Sequence, residues 1–171
     1  CYTHRHRVHW VEKAATMYRG ENPDAVHTFV PKLVMGEALM LGVADFPQLE
    51  WFPSARTPEW PLRVWVGMRT RLKKRYRGYG EGTDLVITGI DEDVIIARVE
   101  KTGETLFVFP VEWEMEGNST GISVAWAHPI AFGRCHVVHA IQGGNFGAVW
   151  LDGSDIPAWA HEQLSVSAGR V

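Results

Sequence analysis

The sequence predicts a mainly β protein with a minor α component: a small antiparallel barrel or strongly bent sheet, with one N-terminal and one C-terminal helix. Three observations carry this expectation. Across much of 63–116 apolar and polar residues alternate with a period of two, the spacing of strands whose two faces differ. Turn residues separate these runs, at Gly78, Gly80 and Gly82, at Asp91-Glu92-Asp93 and at Thr102-Gly103, as hairpin links require. Finally, the run 84–90 is rich in β-branched residues, which suit a pleated surface.

The elements follow in chain order. The chain opens on Cys1 rather than Met, which suggests a trimmed or processed chain; the functional alternatives are an N-terminal thiol nucleophile or a lipid-bearing cysteine. His4, His6 and His9 follow, interleaved with Arg5 and Arg7. In an extended arm His4 and His6 would share a face, a chelating spacing for zinc or another transition metal. His9 would then point away, and the arginines oppose a dication. Residues 10–18 suit either a strand or a helix. Gly20-Glu21-Asn22-Pro23-Asp24 is a loop by its turn residues, and 26–30 a short strand. Pro31 suits the first turn of a helix through about Val43, with Glu37 on its wet face. Between 46 and 62, Pro47, Pro53, Pro58 and Pro61 alternate with Trp51, Phe52 and Trp60. Proline fixes φ and removes donors, so this is an extended connector.

From 63 to 77 one strand is expected. Val64, Val66, Met68, Thr70 and Leu72 occupy one face, and Arg63, Arg69, Arg71, Lys73, Arg75 and Arg77 the other. Strands at 84–90, 94–101 and 105–116 follow, the last with Phe107, Phe109 and Trp113 on one side and Glu112, Glu114 and Glu116 on the other. Beyond lie a strand at 122–126, a connection starting at His128-Pro129, strands at 135–141 and 146–151, and a helix capped by Asp155. Two units result, 1–62 (arm, helix and connector) and 63–171 (β-rich module with a short C-terminal helix), together forming one compact body.

Composition limits the function. At 171 residues with 46% hydrophobic and 22% charged residues, the chain is an ordinary globular mixture. Its net charge of −3 argues against a generic nucleic-acid binder, whose domain is usually basic. A local basic stripe remains compatible with a directed contact. No run of apolar residues is long enough to cross a membrane, and a cytoplasmic location is expected. Cys1 and Cys135 are the only cysteines, too few for a disulfide framework or a zinc ribbon. Asn118-Ser119-Thr120 fits a glycosylation acceptor but is more simply a polar turn. On a strand, Cys135 and His139 share a face about 13 Å apart, far beyond proton-transfer reach. The sequence contains no G-x-x-x-x-G-K-[ST], G-x-G-x-x-G after a strand, H-E-x-x-H or G-x-S-x-G motif.

The basic stripe is the sharpest functional signal. Alternate cations would meet phosphates at roughly 6–7 Å intervals, with Tyr76 and Tyr79 as stacking surfaces beside them. Against this stands Glu112/Glu114/Glu116, with the same period; on a neighbouring strand it would neutralise the cations at about 0.2–1 kcal/mol per pair.

Residues 67–113, under a third of the chain, resemble an SH3-like or Tudor-type small barrel: a basic first strand after Gly67, a Gly-rich loop, then three strands linked by Asp91-Glu92-Asp93 and Thr102-Gly103. The resemblance implies an adaptor that binds nucleic acid, peptides or neighbouring subunits. The leading expectation is therefore a non-enzymatic binding or assembly module, a structural protein of a larger assembly (viral or phage assemblies included) or a homo- or hetero-oligomer. Arg69, Arg71, Lys73, Arg75, Tyr76, Arg77 and Tyr79 would contact nucleic acid or an acidic protein partner. The alternative is a small metal- or thiol-dependent enzyme using His4, His6, Cys135 and His139.

Overall fold

The computed structural model describes residues 4–21, 25–35, 38–40, 57–59, 61–114 and 122–133. The chain begins with an α-helix, α1 (His4–Glu21), where an extended arm was expected at its start. Arg7, Val11 and Ala15 recur every four residues and are all buried, giving one inward stripe. Eleven strands follow: β1 (His27–Phe29), β2 (Lys32–Met35), β3 (Ala38–Met40), β4 (Leu62–Val64), β5 (Arg69–Leu72), β6 (Asp84–Asp91), β7 (Val94–Val99), β8 (Thr105–Val108), β9 (Val111–Glu114), β10 (Ile122–Ala127) and β11 (Ile130–Phe132).

They form three antiparallel sheets, ordered β1-β4, β3-β2-β10-β9 and β11-β5-β6-β7-β8. The five-stranded sheet holds the core. Leu72, Leu85, Ile87, Ile95, Val99 and Val108 are all buried on one of its sides. Alternate residues of the same strands face outward, so each strand reads buried-exposed at period two. Among the described residues the sheet does not close. Its outer strands β8 and β11 are not paired, and among the described residues no barrel forms.

Four expectations are corrected. The helix placed from Pro31 to Val43 is instead the antiparallel pair β2–β3, with Leu33 opposite Met40 and Met35 opposite Ala38. The 33–40 run reads as helical locally, but β10 supplies the pairing partner for β2, some ninety residues later. The single strand over 63–77 is broken by a turn at Val66-Gly67, where Gly67 has φ +87°. β4 turns away to pair with β1, and β5 ends at Leu72. The fourth strand divides at Phe109-Pro110, with β8 and β9 in different sheets; Pro110 has no N–H to carry a ladder onward. Lastly, β11 lies at 130–132, where a connection was expected. Glu37 and the elements placed beyond Gly133, including Cys135, His139 and the C-terminal helix, lie outside the described residues. No described helix is long and apolar enough to cross a membrane.

Candidate nucleic-acid interface

The loop after β5 carries four cations within five residues, Lys73, Lys74, Arg75 and Arg77. Residues 76–79 form a two-residue hairpin in which Tyr76 and Tyr79 exchange both backbone hydrogen bonds at 2.9 Å. Arg77 (φ +47°) and Gly78 (φ +90°) are both left-handed, which identifies a type I′ turn. Glycine adopts this conformation freely; an arginine at the first position does so at a cost of about 1 kcal/mol or more. The hairpin is docked by Tyr76, which is only 8% exposed. Its hydroxyl donates to the Phe107 carbonyl and accepts from the Phe109 N–H, both at 3.0 Å. Thus the loop reaches the outer edge of β8 without adding a strand to it.

This arrangement separates the basic stripe into two groups. Arg69 pairs with Glu100 at 3.2 Å, and Arg71 with Asp84 at 2.8 Å. Lys73 is nearly buried and lies 3.6 Å from Glu59, which also binds Arg7. Burial pulls the Lys73 amine below its usual range, with the Glu59 charge opposing that shift. These three cations are neutralised at home, but not by the predicted partners. β9, which carries Glu112 and Glu114, pairs with β10 and not with β5; Glu116 lies outside the described residues.

The second group faces solvent. Arg75 and Arg77 are exposed and make no ion pair among the described residues. The Arg77 guanidinium lies 5.3 Å from the Phe109 ring centre and 5.6 Å from that of Tyr76, within cation–π range. Lys74 is half-buried over Trp113, at 4.8 Å, and donates to the Glu112 carbonyl at 3.0 Å. Beside them Phe107 and Phe109 are 47% and 39% exposed.

The expected stacking residues therefore change. The Tyr76 ring is buried. Tyr79 is half-buried, and its hydroxyl donates to Glu104, which raises the tyrosine's pKa and lowers the carboxylate's. Phe107 and Phe109 present the open rings instead. Period-two reading placed them with Trp113, which is buried; only the break at Pro110 separates them, and a proline inside an apparent strand was the available signal.

The histidine cluster falls on a helix. On α1 positions 4 and 6 lie about 200° apart around the axis, so the strand spacing that motivated a metal site does not apply, and His9 is exposed. Among the described residues no three His, Cys, Asp or Glu residues are grouped to hold a metal ion.

No protein-family model and no curated protein matches the chain. Solved structures do. Bacteroides Pif1 bound to ssDNA is 19% identical with a TM-score of 0.66, over 98% of this chain and 37% of that one. Pif1 helicase from Candida albicans is 15% identical with a TM-score of 0.65, over 97% of this chain and 41% of that one. A structure of two coordinating Pif1 helicases at forked dsDNA is 20% identical with a TM-score of 0.59, over 94% of this chain and 34% of that one. The chain thus spans between a third and about two-fifths of the structures it matches, and what it shares with them is a fold.

Proposed function

We propose that the chain binds single-stranded nucleic acid, as a β-rich portion of a helicase-like protein, through Lys74, Arg75, Arg77, Phe107 and Phe109. The observation that carries this reading is the left-handed, exposed Arg77 of the hairpin lying over the exposed Phe109, with Arg75 and Phe107 also exposed. Phosphates are attracted by the unpaired charges, and bases stack on aromatic faces without sequence preference. An unfavourable backbone conformation kept at an exposed position suits a functional tip. The fold likeness to Pif1 bound to ssDNA supports the same reading. Arg69, Arg71 and Lys73 have a supporting part, because their acidic neighbours already hold them.

The test is a titration of fluorescent single-stranded and duplex oligonucleotides at several salt concentrations. Two or three engaged cations predict a log–log slope of about −1.4 to −2 on single strands. Charge reversal at Arg77 should flatten it, whereas reversal at Arg69 should change it little. Equal sensitivity at both positions, or an unaltered slope in R77E, would overturn the assignment.

A further inference from the structure

Next to this cationic surface, across the Phe109-Pro110 link, lies a shallow open depression rather than an enclosed cavity. Its walls include Phe29, Pro31, Pro110, Trp126 and His128. Trp126 is 42% exposed, although it lies mid-strand in β10. Lys32 stands directly opposite it on β2 and Glu112 directly opposite on β9, so the indole lies on the outward face between a cation and an anion. The Phe29 and His128 rings pack at 4.5 Å between centres. At the mouth, Lys32 and Asp93 pair at 3.3 Å and cancel in charge.

The geometry points to a nucleobase site: Trp126 stacks one base of a single strand whose phosphates lie on Lys74 and Arg77. This rests on the nucleic-acid reading above and adds to it a residue that contacts bases. Three features select the occupant. The charged residues of the pocket's lining are Lys32, Asp93 and Glu59, with no surplus of cations, and Glu112 and Glu114 are exposed on the adjoining strand, so a phosphate is disfavoured there. A neutral planar ring suits an exposed indole, and Lys32 and Asp93 present a donor and an acceptor to its edge. The phosphate-binding charges are close by: Lys74 Nζ sits 3.0 Å from the carbonyl of Glu112, the cross-strand partner of Trp126. The chain from Phe109 to Glu112 therefore joins the two surfaces, with Phe109 under Arg77 and Pro110 in the pocket wall.

The experiment compares two fluorescent probes, oligothymidylate and the same sugar–phosphate chain without bases, on wild type, W126A, W126F and R77E. W126A should reduce the preference for the base-bearing strand roughly 5- to 150-fold, while affinity for the abasic strand and the salt slope stay unchanged. W126F should retain most of the preference. R77E should weaken both probes alike and leave their ratio intact. A wild-type ratio in W126A overturns the base site alone. Failure of wild type to bind either probe at low salt overturns both this site and the reading beneath it.

Discussion

Glu59 sits between two cations from different parts of the chain, Arg7 of α1 and Lys73 just past β5, and all three side chains are almost excluded from water. Replacing a buried ion pair whole is often nearly neutral, whereas removing one partner strands the other's charge. The asymmetry makes a prediction. E59A removes the carboxylate that both cations share and should cost about 3–5 kcal/mol in denaturant unfolding. K73M should cost well under that, because it also relieves the burial that already depresses the lysine's pKa. Equal losses would sink this account. His128 makes a second prediction. Its Nε2 lies 2.9 Å from the Asp93 carbonyl, which can only accept, so Nε2 carries the proton of a neutral ring. Burial lowers its pKa more than that hydrogen bond and the Asp93 charge restore it. Below about pH 6.5 the unfolded chain takes up a proton before the folded one. The stability contributed by His128 is thus present above that pH and lost as pH falls through the folded pKa. Denaturation midpoints of H128Q should decline less between pH 7.5 and pH 5 than those of wild type; parallel declines would count against it.

At the scale of elements, the 76–79 hairpin holds its shape against the preference of its own sequence. Type I′ turns favour Asn-Gly, and here an arginine occupies the first left-handed position. R77N should therefore raise the melting temperature, by up to about 1 kcal/mol of stability, while weakening oligonucleotide binding. A variant that gained stability without losing affinity would show that the arginine is not kept for its charge. The neighbouring elements show what the sequence could and could not reveal. The turns at Asp91-Glu92-Asp93 and Thr102-Gly103 lie where turn residues place them, with the Gly103 N–H on the Val99 carbonyl at 2.8 Å. Those links join strands adjacent in sequence, and local chemistry suffices. The basic stripe could not be read so simply. Leu62 and Val64 on β4 and Thr70 and Leu72 on β5 keep one buried parity although the two strands enter different sheets, and the alternation slips only at the turn between them, where Trp65 is buried and Val66 exposed. Likewise Phe107 and Trp113 share parity, but one is open to solvent and the other is buried.

Across the whole molecule, two kinds of pairing coexist, and they differ in legibility for the same reason they should differ in stability. β5 to β8 meet sequence neighbours, β6 to β8 through short turns, and bury an aliphatic core. β2 meets β10, and β1 meets β4, only across long stretches of chain. No local period announces such partners, which is why the 31–43 segment read as a helix and α1 stayed undecided. Closing a long loop also costs entropy before its contacts form, and the three-residue β1–β4 pair has little burial to offset it, since His27 and Thr28 are exposed. Stability should therefore be layered. Amide hydrogen exchange is expected to be slowest in β6 and β7, whose register extends from Leu85–Val99 to Asp91–Val94, and faster in β1, β4 and α1. E59A should deepen the difference, because Arg7 and Arg63, paired with Glu59 and Glu12, are polar ties between α1 and the strands beneath it. Exchange in α1 would accelerate with β6 and β7 nearly unchanged. Uniform acceleration across all of them would mean a single cooperative unit, and would place the 76–79 hairpin and the α1 contact under one unfolding transition.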